Sequence, residues 1–184
     1  VYVLGQTEST GSELFFNANY GEAGQGMFIT KFSSQLEAAD FSTTFGVEQG
    51  VPPISPVAFA VDLCNRVYLS GWGGNTNQSG STTGLDVTED AFQSTTDGSD
   101  FYFMVLEDDA NALTFASFHD GETSAEHVDG GTSRFDRTGK IYQAVCAGCG
   151  SFDDYPIEPE NALSKLNNSN NCNLGVAKID FDLP

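Results

Sequence analysis

The sequence predicts an all-β chain assembled from repeated antiparallel sheets, and three observations carry that expectation. First, "VYVLGQT" (1–7), "RVYLSGWGG" (66–74) and "KIYQAVCAG" (140–148) align on Tyr2, Tyr68 and Tyr142. Second, other segments recur in the same order at intervals of 74 and 73 residues, against 66 and 74 for the tyrosines. "GMFITKF" ending at Phe32, "DFYFMVL" ending at Leu106 and "GVAKI" ending at Ile179 form one such series. "DFSTTFG" (40–46) matches "TFASFHDG" (114–121), and "AFAVDLCNRVY" (58–68) matches "TSRFDRTGKIY" (132–142). Self-similarity at a nearly fixed period marks an array of structural units. Third, no window longer than about ten residues shows helical periodicity with caps. "PENALSKL" (159–166) carries signal for a turn or two at most.

Each matched segment has strand chemistry: short, rich in Val, Ile, Phe, Tyr and Thr, partly alternating, and bounded by Gly, Asn, Asp and Ser. The segments at 2–7, 26–32 and 40–46 give three strands of a first unit. "AFAV", "RVYLSGW", "FYFMVL" and "TFASFH" give four strands of a second; "TSRF", "KIYQAV" and "GVAKI" give three of a third. "DLCN" (62–65) and "DRTG" (136–139) join first strands to second as tight turns, with Asn65 or Gly139 supplying positive φ. Asp62 and Asp136, each at the same distance before its aligned Tyr, read as the caps of those turns. A four-stranded sheet of about 74 residues buries too little alone, so the units must stack. Linear stacking gives a solenoid or a row of sandwiches; radial stacking gives a β-propeller, which the long connection after the second strand favours. The expectation is a partial β-propeller of about two and a half four-stranded antiparallel blades. One incomplete blade lies at 1–46, a full blade at 55–121 and an incomplete blade at 125–181, with the C-terminal boundary near 182–184. Closed propellers have about four to eight blades, so the remaining ones are expected from the same protein or another chain.

Composition narrows the function classes. The 184 residues carry 26 acidic side chains against seven basic ones, a net charge of −19. Phosphate binding needs clustered Lys and Arg, so a nucleic-acid partner is not expected. High charge can also signal disorder, but 15 Phe and six Tyr argue for a buried core. No apolar run is long enough to span a membrane as a helix. The chain starts without Met or a leader, which reads as a processed chain or an excised fragment of an acidic extracellular protein.

The residues then reach a resemblance. "FAVDLCNRVYLSGWGG", "LDVTEDAFQSTTDGSDFYFMVL" and "LTFASFHDG" together resemble the bacterial β-propeller repeat known as SBBP. A second copy matches through "RFDRTGKIYQAV", "DYPIEPENALS" and "GVAKIDF". Two features depart from the repeat: "SFHDG" replaces the usual aromatic-Leu-Gly-Gly ending, and the cysteines are additions. The version with cysteines, "EHVDGG…IYQAVCAGCG…NNCNLGVAKIDF", is similar to propellers in very large surface proteins of Bacteroidota. That resemblance implies an extracellular, cell-surface address reached by type IX secretion, neighbouring sandwich modules, and in some members a link to gliding motility. It implies an adhesin-like structural or binding module that contacts cell-surface proteins or glycans.

The candidate sites are few. Cys64, Cys146, Cys149 and Cys172 permit two disulfides in three connectivities. A redox reading of Cys146-x-x-Cys149 needs the pair at a helix start, whereas here it follows a strand. Zinc needs two further ligands, for which Cys172 and His119 or His127 are present without a second close-spaced pair. Disulfide staples remain, with Cys172 joined to Cys146 or Cys149 across the long polar loop, and Cys64 reaching the remaining cysteine only if that loop wraps around. Calcium would want converging carboxylates, and Asp97, Asp100, Asp108 and Asp109 are the candidate ligands, although no D-x-[DN]-x-[DN]-G loop is present. No other cofactor is expected. Trp72, in a Gly-rich loop, suits either stacking on a sugar ring or packing between blades. No serine elbow or second catalytic element accompanies His119 or His127. The alternative function is a glycan-active enzyme, a polysaccharide lyase or hydrolase, with Asp62, Asp136 and His127 near the propeller axis.

Overall fold

The computed structural model describes residues 1–74, 80–128, 133–136 and 138–181. They form ten strands: β1 (Tyr2–Gln6), β2 (Gln25–Phe32), β3 (Ala39–Gln49), β4 (Ser55–Val61), β5 (Val67–Trp72), β6 (Phe101–Leu106), β7 (Leu113–His119), β8 (Ser133–Phe135), β9 (Lys140–Ala147) and β10 (Asn173–Asp180). Apart from one 3-10 turn at Asp108–Ala110, no helix occurs among the described residues. The 159–166 segment, which carries the only helical signal, is turn and coil. No helix there is long and apolar enough to cross a membrane. Part of the Gly-rich loop (75–79) and the expected C-terminal boundary at 182–184 lie outside the described residues.

The strands make three antiparallel sheets, ordered β1-β2-β3, β4-β5-β6-β7 and β10-β9-β8, and none closes on itself. Their hydrogen-bond registers repeat with the sequence. Lys31 faces Phe41 and Ile29 faces Thr43 in the first sheet; one period on, Val105 faces Phe115 and Phe103 faces Ser117. Tyr2 faces Lys31, Tyr68 faces Val105 and Tyr142 faces Lys178. The aligned tyrosines therefore hold one structural position in each sheet. The turns repeat as well. Asp62 Oδ1 accepts from the Cys64 and Arg66 amides at 2.8 and 2.9 Å, and Asp136 Oδ1 accepts from the Thr138 and Lys140 amides at 2.8 and 3.2 Å. Asn65 and Gly139 close these turns at φ 62° and 82°, a region open to Asn and Gly at little steric cost.

Period-2 alternation sends successive side chains of the middle sheet to opposite neighbours. Val67, Leu69, Tyr102, Met104, Leu106, Ala116 and Phe118 pack against Met27, Ile29, Phe41 and Phe45 of the first sheet. On the other face Phe101 and Phe103 meet Ile141, Val145 and Ile179 of the third, while Tyr68, Val105 and Phe115 pack on Phe135 and Phe181. Double coverage explains why "FYFMVL" reads as an unbroken apolar run: every residue of β6 is buried. One polar node lies between the second and third sheets. Gln143, 2 % exposed, accepts through Oε1 from the Ser70 and Ser133 hydroxyls and donates through Nε2 to the Ala144 carbonyl.

The outer sheets each show an uncovered face. Met27 and Ile29 correspond by the repeat to Phe101 and Phe103, and these to Leu174 and Val176. The first two pairs are at most 1 % exposed, whereas Leu174 and Val176 are 72 % and 68 % exposed. Tyr142 beside them is also exposed, although its equivalent Tyr68 is buried. At the opposite end Val1 and Val3, equivalents of the buried Val67 and Leu69, are exposed too. Strands β4 and β8, the first of their sheets, run beside one another more extensively than any other described strands of different sheets.

Candidate functional site

The β6–β7 ladder pairs Phe101 with His119. One step beyond that pair, Asp100 and Asp120 stand opposite each other where the two strands leave the sheet. Asp97 comes from the turn before β6, where its Oδ1 accepts from the Ser99 amide at 2.8 Å and Gly98 takes φ 102°. Oxygens of the three carboxyl groups lie within 4.8 Å of one another. Gln93 spans the pair, donating through Nε2 to Asp100 Oδ2 at 3.2 Å and accepting the Asp120 amide on Oε1 at 3.0 Å. Asp120 Oδ1 accepts from the Gly121 amide. Asp100 Oδ1 and Asp120 Oδ2 are buried and have no protein partner, a costly state for a carboxylate. Burial, with Asp97's charge adding to it and the Thr96 hydroxyl opposing, pushes the Asp100 carboxyl up to about 7.

A second carboxyl group pair adjoins this one. Ser124 Oγ lies 2.7 Å from both Glu126 Oε1 and Asp154 Oδ1. A hydroxyl has one proton to donate, so a carboxyl must supply the other. Burial first, then the charges of Asp154 and Asp100, push Glu126 up to about 7 against the Gly148 amide that favours its anion, so of the two carboxyls Glu126 takes up a proton the more readily. Asp154 stays ionised: burial works to raise it, but the Ser124 hydroxyl and the Thr123 and Ser124 amides outweigh burial and hold it below the usual carboxylate range.

The four carboxylates expected to share one calcium ion do not converge. Asp97 and Asp100 lie at one end of β6 and Asp108 and Asp109 at the other, about 20 Å of strand away. Lys31 Nζ pairs with Asp109 at 2.6 Å and Asp108 at 3.5 Å, and Asn65 donates to Asp108. Asp120, absent from the sequence reading, takes their place beside Asp97 and Asp100, together with Gln93; Glu126 and Asp154 were missed as well. Asp62 and Asp136 are engaged as turn caps, and Asp62 Oδ2 also accepts from Tyr68 at 3.1 Å. Trp72 is half-buried between the second and third sheets, its ring 6.0 Å from that of His127. His119 contacts the Tyr155 hydroxyl at 3.1 Å, and burial pushes its imidazole down to about 4.

Of the two expected disulfides one forms, Cys149–Cys172, and it closes the loop between β9 and β10. Its Cys149 sulfur lies 3.8 Å from His127 Nδ1. The second bridge is corrected: Cys64 and Cys146 remain thiols. Cys64 sits in the β4–β5 turn, whereas Cys146 on β9 corresponds by the repeat to Trp72, at the far end of β5 from that turn. A strand's length, about 20 Å, separates the two ends, far beyond the roughly 7 Å that a disulfide spans between Cα atoms. The disulfide loop is further held by Asn167, whose Nδ2 donates to the Gly148, Phe152 and Asn171 carbonyls. A groove of about 160 Å³ under this loop is lined by Gly148, Phe152, Tyr155, Leu166 and Leu174. Comparison with protein-family models, with curated proteins and with solved structures finds no match for this chain.

Proposed function

We propose that the chain is a run of β-propeller blades serving as a non-catalytic structural and binding module of a large secreted bacterial surface protein. The observation that carries this reading is the sense of the stacking. Each sheet offers the same face to its successor, Met27 and Ile29 then Phe101 and Phe103, and the third sheet offers Leu174, Val176 and Tyr142, which are exposed. Such head-to-tail contacts build a ring when their rotation closes and an open filament when it does not. The close course of β4 and β8 favours rotation about an inner axis. The occupant of the open face is a further sheet of the same repeat, and the module meets its partners, surface proteins or glycans, through loops at the sheet ends. The Cys149–Cys172 disulfide suits an oxidising, extracellular setting.

Sedimentation of the chain over a wide concentration range tests the stacking. Mass is expected to grow stepwise with concentration, and Leu174→Lys with Val176→Lys to return the chain to monomer. A parent chain that stays monomeric while both end faces are open removes the basis for further sheets. Incubation with acidic polysaccharides tests the rest: retention without cleavage supports a binding module, and turnover overturns the non-catalytic reading.

A further inference from the structure

We propose that Asp97, Asp100 and Asp120 form a calcium site that ties the ends of β6 and β7 to the turn preceding β6. Three independent observations converge on it. The first is geometric. Calcium binds oxygen at 2.3–2.6 Å, so two oxygens on one ion lie no more than about 5 Å apart. The three carboxyl groups offer oxygens that meet this limit mutually, within 4.8 Å. The second is the pair of orphaned acceptors. Asp100 is 0 % and Asp120 4 % exposed, and each keeps one oxygen without a hydrogen-bond donor. None of the groups acting most strongly on Asp100 is a lysine or arginine; the charged one is Asp97, of like sign. Buried charges are ordinarily paired or bound to metal. The third is the repeat itself. In the first sheet the equivalent positions are Gly26 and Gly46, so the fold does not require carboxylates there.

The donor set selects the ion. All three ligands are carboxylates, with no imidazole or thiolate in the group, which disfavours zinc. Magnesium demands a near-regular octahedron at 2.0–2.1 Å, whereas calcium accepts irregular shells of six to eight oxygens. Asp97 is exposed, giving the ion an entry path and leaving room for water to complete its shell. Gln93 positions two of the ligands through its side-chain amide.

The test uses the whole chain, stripped with EDTA and titrated with calcium chloride by calorimetry and thermal melting. One saturable site is expected, with a melting temperature raised by about 5–10 °C at a hundredfold excess over Kd. Asp120→Asn and Asp97→Asn should each lose that response. In EDTA both should melt at or above the parent, since one of three like charges is gone; a merely structural role predicts a lower value. Asp108→Asn, at the opposite end of β6, should keep the full response. Absence of heat and shift in the parent would overturn the proposal and leave the cluster neutralised by protons. So would a calcium response that survives in both variants, or magnesium binding as tight as calcium.

Discussion

Ile29 and Ile141 approach the middle sheet from opposite sides, 0 % and 1 % exposed. Replacing each by Val tests whether that sheet is clamped between two neighbours. One buried methylene contributes about 0.8 kcal/mol by transfer, and with the residual void Ile→Val changes cost about 0.5–1.5 kcal/mol. Each variant should therefore lose about 1 kcal/mol, or about 2–4 °C in a chain of this size. The two residues belong to separate core clusters, so the double variant should lose their sum within about 0.5 kcal/mol. Urea unfolding read by far-UV circular dichroism and by Trp72 fluorescence gives two views of the transition. Trp72 reports the contact between the second and third sheets, and dichroism reports all three. If the stack unfolds as one unit, both probes move together in both variants. A loss below about 0.3 kcal/mol for Ile141→Val, or a shift confined to the fluorescence, would mean that the third sheet does not share the middle sheet's core.

Two further outcomes follow from the loops. The Cys149–Cys172 bridge spans 23 residues, and the chain-entropy model assigns such a closure roughly 3 kcal/mol. Cys149→Ser with Cys172→Ser should lower the melting temperature by about 6–12 °C; an unchanged value would show that the loop's hydrogen bonds, those of Asn167 among them, keep it closed without the bridge. Glu126 gives a pH signature. Its carboxyl is raised to about 7 in the fold by burial, so the folded chain holds this proton more tightly than the unfolded one. Its contribution is fully present below the ordinary glutamate range and is lost as pH rises through about 7. The loss amounts to roughly 3 kcal/mol. Glu126→Gln, compared with the parent in EDTA, should abolish that part of the pH slope and be the more stable protein at pH 8; parallel curves would refute the assignment.

The repeat made the three antiparallel sheets legible because hydrogen-bond register and sequence period are one fact seen twice. The interval between matched segments returns as the same pairing in successive sheets, down to the Asp-capped turn at Asp62 and Asp136. The acidic site was half legible. "DGSD" placed Asp97 and Asp100 near each other, but both strands of the β6–β7 hairpin separate them from Asp120, which meets them only through the pairing of those strands. The signal was present in "SFHDG", where the chain departs from its own repeat: Asp120 stands where the first unit has Gly46. Asp108 and Asp109 misled because proximity in sequence says nothing about the strand that separates them from Asp100. Cys64 misled for the same reason: an even cysteine count carries no distances. The pairing of Glu126 with Asp154 was not legible, because the contact that couples them runs through Ser124 and a loop 30 residues away.

The direction of Tyr2, Tyr68 and Tyr142 constrains how copies of this unit meet. Tyr2 points into the contact of the first and second sheets, Tyr68 into that of the second and third, and Tyr142 out of the stack. A two-fold dimer would set the Tyr142 face against itself, an isologous contact unlike either contact inside the chain. Head-to-tail association instead sets it against the far face of the first sheet. There Val1 and Val3 stand where Val67 and Leu69 receive the preceding sheet. The two surfaces differ, so their complementarity is separable. Leu174→Lys disables only the donor face and Val3→Lys only the acceptor face. A mixture of the two variants retains one intact face of each kind and should form a heterodimer that stops growing, whereas an isologous dimer would be abolished in one variant and untouched in the other.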